Sequence, residues 1–233
     1  MNKKAVVLSS GGLDSTTCLG IAKSEGYEIY SLSFNYGQRH KKELECAKQV
    51  ADYFKAKEHI IMEFNLRAWG GSALTEDIAV PEQRGLHEMT KEIPITYVPG
   101  RNIIFLSFAA SYAEKLGATA IFTGVNQIDY SGYTDCRKEF IDAFQKTIDV
   151  GTKAGVEKTN RIEILTPLIF MNKKEIIQAG VQNKVDYALT TSCYNGREKA
   201  CGVCDSCKLR IQGFKEARMK DPIEYEIPID WEL

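Results

Sequence analysis

No stretch of this sequence approaches the roughly 18 uninterrupted apolar residues of a membrane span, and the first eight residues run straight into an apolar strand. They lack the apolar h-region and small-residue cleavage site of a signal peptide, so a soluble, cytoplasmic protein is expected, with no membrane partner. Excess charge of one sign is lacking too. Thirty basic and 31 acidic residues leave a formal net charge of −1, which gives no bulk field for a polyanion, so nucleic acid is not an expected partner. Histidine is scarce: of His40, His59 and His87 only His40 lies near a motif, and the three show no metal spacing. Internal repeats and low-complexity tracts are missing as well. What remains is a 233-residue chain, 44% hydrophobic and 26% charged, long enough for one sizeable core.

The pattern along that chain is β-α-β-α-β. Apolar runs at 5–10, 28–35 and 58–64 alternate with amphipathic stretches at 16–23 and 41–55, and Leu44, Ala47, Ala51 and Phe54 fall on one helical face. Right-handed crossovers between successive strands make the sheet parallel. A region rich in glycine, proline and charge follows at about 65–100, too long for an ordinary connection and therefore a functional loop or lid. Regularity resumes with a helix at 103–116, a strand at 118–125, a loop at 126–137, a helix at 138–152, a strand at 163–168 and a helix from about Asn172. The expected class is α/β, a doubly wound parallel sheet spanning 1–185, with a C-terminal cysteine-rich helical segment at 186–233 packed on the same core. The tail after Asp221 is short, acidic and punctuated by proline, with a surface or subunit contact as its expected place.

The first strand ends in Ser10-Gly11-Gly12-Leu13-Asp14-Ser15, and a helix begins at once. Hydroxyls, unhindered glycine backbone and a helix N-terminus then converge at the C-terminal edge of a parallel sheet, where anions bind. No lysine precedes the final serine, so the loop lacks the P-loop grip on a β/γ-phosphate pair for γ-transfer. A serine-capped helix start of no function would show some of these residues, but not their position after the first strand.

Cys193, Cys201, Cys204 and Cys207 form a second motif, with Gly196 and Gly202 permitting the tight turns. Four thiolates from one short segment suit a closed tetrahedral zinc site, one ion per chain, structural because no position is left for water. An iron–sulfur cluster is the competing occupant of such ligands. Of the seven cysteines, Cys18 and Cys46 sit among apolar neighbours and read as core. Cys136 lies in the loop beyond a strand, where a structural or substrate-lining role is favoured over a nucleophilic one.

The phosphate loop resembles that of the PP-loop ATP pyrophosphatases, whose S-G-G-x-D-S signature holds the pyrophosphate of ATP while a substrate oxygen attacks the α-phosphorus. Other motifs narrow the likeness. They are Phe34-Asn35-Tyr36-Gly37-Gln38-Arg39-His40, Val98-Pro99-Gly100-Arg101-Asn102, Thr123-Gly124-Val125, the run from Asp129 to Arg137, and Thr166-Pro167-Leu168 with Asn172-Lys173, followed by the cysteines. Their order, from Ala5 to about Met219, is similar to the QueC family of 7-cyano-7-deazaguanine synthases in queuosine precursor biosynthesis.

That resemblance implies ATP-dependent conversion of 7-carboxy-7-deazaguanine and ammonia into the nitrile by way of an amide, with Mg²⁺, zinc and a homodimer. It implies a nucleotide site of Leu8, Ser9, Ser10, Gly11, Gly12, Leu13, Asp14, Ser15, Thr16, Thr17, Cys18 and Gly124. Asp14 then helps to place Mg²⁺, Lys173 touches phosphate, and Asp14, Ser15, Lys173 and Arg101 are the catalytic set. For the flat base, Asp129 or Asp135 can accept its donor edge, and Tyr36, Tyr130 or Tyr133 can stack on its face. Arg39, Arg101 and Arg137 suit the substrate carboxylate or the phosphates, and Gln38 completes the substrate set. A PP-loop tRNA sulfurtransferase is the neighbouring alternative, kept open by Cys136; near-neutral charge and the lack of an RNA-binding segment stand against it. A zinc-knuckle nucleic-acid module leaves the phosphate loop unexplained.

Overall fold

A computed structural model describes residues 3–39, 41–82, 93–128 and 132–231. Among these, five strands, β1 (Lys4–Leu8), β2 (Glu28–Asn35), β3 (Glu58–Glu63), β4 (Ala120–Phe122) and β5 (Glu163–Leu165), form one sheet in the order β3-β2-β1-β4-β5. Every adjacent pair is parallel: Val6 sits opposite Tyr30 on one side and Ile121 on the other. Among the described residues seven α-helices flank the sheet: α1 (Leu13–Ser24), α2 (Lys42–Tyr53), α3 (Arg101–Leu116), α4 (Lys138–Gly151), α5 (Lys153–Glu157), α6 (Lys173–Gln182) and α7 (Asp205–Glu216).

Because both faces are covered, β1 carries no polar alternation, and successive residues feed opposite cores. Val6 joins Leu32, Phe34, Leu106, Ile121 and Ile141 under α3 and α4. Ala5 and Val7 join Leu19, Phe122, Ile176, Ile177 and Phe214 under α1, α6 and α7. Phe214 of the C-terminal segment thus shares a core with the sheet. A third cluster gathers the four cysteines with Ala73, Val80 and Ala200.

Strand β1 is central, and the chain leaves it towards β2 on one side and later returns to β4 on the other. The reversal opens a crevice beyond the carboxyl ends of β1 and β4, where ligands of open α/β sheets bind. Element ends differ from the sequence reading by a few residues, as fraying ends do. The strand read over 118–125 keeps ladder pairing only at Ala120–Phe122, because the backbone then turns outward to line the crevice.

Two regions carry contacts that their sequence does not announce. The segment at about 65–100 is tied down where it is described: Ala73 N–H donates to the Ile95 carbonyl (2.9 Å), and Ser72, Thr75, Thr96 and Val98 are buried. The tail after Asp221 is mostly exposed, yet it is tied down. Ala200 N–H donates to the Glu224 carbonyl (3.0 Å) and Glu226 N–H to the Ala200 carbonyl (2.8 Å), so the tail runs beside the cysteine loop. There Gly202, at φ +77°, leaves room that a Cβ would take from Ile227.

Candidate active site

The turn after β1 is held in shape by its own hydroxyls. Ser15 Oγ donates to the Gly12 carbonyl (3.1 Å) and accepts from Ser10 N–H (3.1 Å), and Thr16 Oγ1 also donates to the Gly12 carbonyl (2.8 Å). Gly11 adopts φ +76°, and a Cβ there would lie 2.6 Å from Ala47 N, so only glycine lets the loop rest on α2. Gly124 plays the matching part just beyond β4, since a Cβ would sit 3.0 Å from Ser15 N at the start of α1. The N-terminus of α1 is thereby aimed at the crevice mouth, with no lysine in the loop.

A cavity opens at this point. Its phosphate-loop wall consists of Leu8, Ser9, Ser10, Gly12, Leu13, Asp14 and Ser15, and Thr123, Gly124, Val125 and Asn126 follow from β4. Lys173 enters from the first turn of α6, a helix fixed by a capping box between Asn172 and Glu175. Its ammonium reaches both Asp14 oxygens (2.8 and 2.9 Å) although the side chain is only 8% exposed. Phe34, Tyr36, Arg101, Phe105, Tyr133 and Cys136 form an opposite wall of aromatic and basic character. Phe34 and Phe105 stack at 3.9 Å between ring centroids, and Arg101 Nη1 donates to the Tyr36 hydroxyl (3.4 Å). Burial opposes the charge on Arg101, but Tyr36, Tyr133 and Asp135 outweigh it and hold the guanidinium protonated. Ser9 Oγ and Arg101 Nε are buried in these walls without a hydrogen-bond partner. Two such donors on one cavity fit a polar, anionic ligand such as ATP.

The structure sorts the residues singled out in the sequence. Asp14, Ser15, Arg101 and Lys173 all line the cavity, as do Tyr36, Gln38, Arg39 and Tyr133. Ser15 is a buried brace of the loop rather than a solvent-facing hydroxyl, because its oxygen is spent on Gly12 and Ser10. Gln38 is likewise spent locally, on Tyr36 N–H (2.9 Å) and the Phe34 carbonyl (3.0 Å). Gly11, Thr16, Thr17 and Cys18 lie behind the lining: Thr17 bonds Tyr187 (2.8 Å), and Cys18 is core. Asp135 is also behind the wall, where its Oδ2 accepts from Asn102 N–H (3.1 Å) at the start of α3 and its Oδ1 has no partner. Arg137 is exposed at the start of α4, outside the lining. Asp129, Tyr130, His40 and His87 fall outside the described residues. Cys136 Sγ accepts from Asn102 Nδ2 (3.4 Å), and burial pushes its thiol up to about 12, so it is no thiolate at neutral pH.

Sequence reasoning missed Glu43, Leu44, Phe105, Thr191, Ser192, Tyr194 and Arg210, which also border the cavity. They come from α2, from the middle of α3 and from beside the cysteines, so only the tertiary path brings them to the phosphate loop.

The four cysteine sulfurs lie within 4.8 Å of one another, and Cys201 Sγ is 3.9 Å from Cys207 Sγ. Tetrahedral zinc with ligand distances of about 2.3 Å separates its sulfurs by about 3.8 Å, so the group fits a metal ion. Cys204 and Cys207 donating to Cys193 pull its thiol down, and the bond to Cys193 pushes Cys204 up to about 12. A bound cation would let all four ionise. Cys204 caps α7, whose N-terminal dipole favours thiolate.

A parallel sheet with its glycine-serine loop after the first strand, a lysine arriving from a distant helix and no P-loop lysine together make up a PP-loop α/β fold. The chain belongs to the QueC family: the family model described as "Queuosine biosynthesis protein QueC" matches residues 4–218. Among curated relatives, the 7-cyano-7-deazaguanine synthase of Clostridium kluyveri is 56% identical over 96% of this chain and 98% of its own length. The enzyme of the same name from Acetivibrio thermocellus is 60% identical over 96% and 98%. Among solved structures, NMN synthetase from Francisella tularensis aligns at TM-score 0.48 and 12% identity, covering 86% of this chain and 71% of that one. A predicted tRNA methyltransferase subunit from Methanocaldococcus jannaschii scores 0.48 at 16% identity, over 77% and 74% of the chains. Likenesses at this level carry no argument about activity.

Proposed function

We propose that this chain is a 7-cyano-7-deazaguanine synthase, a ligase that uses ATP and ammonia to convert 7-carboxy-7-deazaguanine into the nitrile. The observation that carries the reading is one cavity with a phosphate loop at one wall and an aromatic, guanidinium-bearing wall opposite, in a chain whose relatives bear that name over nearly their whole length. A carboxylate does not react with ammonia, because oxide is a poor leaving group. Attack of the carboxylate oxygen on the α-phosphorus releases pyrophosphate and gives an acyl adenylate. Ammonia then displaces AMP to form the amide. Adenylating the amide oxygen in the same site makes AMP the leaving group again, and loss of AMP and protons leaves the nitrile.

The residues take roles that suit these steps. Loop N–H groups and Lys173 receive the departing pyrophosphate, with its charge further eased by the α1 N-terminus. Asp14 and Glu43 are carboxylates on the cavity wall that would hold Mg²⁺, which screens the phosphates when bound. Arg101 faces the substrate carboxylate, and Tyr36 and Tyr133 border the flat base. Asp129 remains a candidate for the donor edge of the base. The cysteines hold structural zinc. A buried, protonated Cys136 disfavours a persulfide-forming sulfurtransferase, whose cysteine must ionise.

The test is isotopic. With ATP, Mg²⁺, ammonium and substrate labelled with oxygen-18 in its carboxylate, label is expected in AMP and the product is the nitrile. Label in inorganic phosphate with ADP released would overturn attack at the α-phosphorus.

A further inference from the structure

Arg210 is the largest side chain among the fully buried ones, 1% exposed, three residues beyond Cys207 on α7. Its donors point two ways. Nε and Nη2 form a fork on Asp221 (2.6 and 2.9 Å), itself 2% exposed, in the C-terminal tail. Nη1 reaches Thr190 Oγ1 (2.8 Å) and Ser192 Oγ (3.4 Å), and Nη2 also reaches the Tyr187 carbonyl (3.2 Å). Tyr225 O–H (2.6 Å) and Ile223 N–H (3.2 Å) donate to Asp221 in turn.

The strap 190–192 therefore has one end under Arg210 and the other running into Cys193. Its middle residue meets the phosphate loop: Thr191 N–H donates to the Gly11 carbonyl (3.0 Å), and a Cβ on Gly12 would lie 3.4 Å from the Thr191 carbonyl. The peptide between Gly11 and Gly12 is planar, so fixing that carbonyl helps to fix the direction of the Gly12 N–H, which donates to Ser10 Oγ (3.2 Å) at the cavity wall. Two successive glycines leave the backbone free, so this restraint from outside the loop adds to the loop's own hydroxyl bonds in keeping it preorganised.

We infer that the buried Arg210–Asp221 pair, acting through Thr190 and Thr191, is a positioning device for the phosphate loop, which makes the C-terminal tail a determinant of ATP affinity. A guanidinium is the group for the place, because a rigid five-donor fork can serve a carboxylate on one edge and the strap on the other. The inference rests on the ATP reading above and assigns neither residue a contact with substrate.

The experiment uses the full-length, metal-loaded protein. ATP and 7-carboxy-7-deazaguanine affinities are measured separately by calorimetric titration for the wild type, Thr190→Val and Asp221→Asn, beside metal content and melting temperature. Thr190→Val removes the shorter of the two Arg210 links to the strap, leaving the Ser192 contact (3.4 Å) and the ion pair in place, so the test survives even if Asp221→Asn folds poorly. Each folded variant is expected to keep its metal and lose ATP affinity by about tenfold or more, as small misplacements at a binding site do. Affinity for the deazapurine should stay within about twofold, since uniform loss marks damage of another kind. Folded Thr190→Val binding ATP as tightly as the wild type overturns the inference, and so does a parallel loss of both affinities with the melting temperature. A wild type that binds no ATP would bring down the ATP reading itself.

Discussion

Asp14 and Lys173 lie 159 positions apart in sequence and share two hydrogen bonds on the cavity wall. Replacing Asp14 by Asn keeps the volume and removes the charge that orients the ammonium. Turnover is expected to fall by about a hundredfold or more, the scale seen when a preorganised charge partner is lost, with the circular-dichroism spectrum unchanged. Steady-state pyrophosphate release measures this, and wild-type turnover in folded Asp14→Asn would remove Asp14 from the site. Cys136 gives a prediction in pH. Burial raises its thiol from an ordinary value near 9.0 to about 12, so the folded state holds a proton that the unfolded chain gives up. The stability this contributes is full below about 9 and is lost as pH rises through about 12, at up to about 1.4 kcal/mol per pH unit. Melting temperatures of Cys136→Ser should accordingly decline less steeply across that window than those of the wild type.

Two elements owe their place to single residues. Gly11 sits at a positive φ against α2, and Gly11→Ala adds both strain and a clash with the backbone of Glu43 and Ala47. A loss of about 2 kcal/mol or more is expected from the denaturant midpoint, because neither obstacle is a flexible side chain. Helix α6 carries Lys173 into the cavity behind its Asn172–Glu175 capping box. Asn172→Ala should cost about 1 kcal/mol of stability, and since it frays the turn bearing Lys173, it should also raise the KM for ATP. An unchanged KM with the stability loss present would separate the cap from the site.

At the scale of the whole molecule, the cysteine cluster joins the segment at 73–80 to the tail, since Ala73, Val80 and Tyr225 all pack on it. Cys204→Ser should lower melting temperature and soluble yield, because a closed site contributes folding free energy rather than a reactive water. Metal analysis should find one zinc per chain in the wild type, and a stable, metal-free, fully active Cys204→Ser protein would show the site to be dispensable. Among the described residues no helix is long and apolar enough to cross a membrane.

The sequence alone determined the alternation of strands and helices, the parallel sheet, the phosphate loop after β1 and the four-thiol cluster. Each of these is written in local periodicity or in residues a few positions apart, where backbone geometry leaves few options. Only the tertiary structure decided which candidates face one another. Spacing along the chain cannot tell Lys173, which meets Asp14, from Arg137, which stays outside, because a side chain's partner depends on how helices dock across the sheet. The same holds for Arg210 and Asp221. Nothing in the sequence singles them out, and they are buried by a tail that runs beside the cysteine loop; burial with a full set of partners is a property of the fold rather than of the residue.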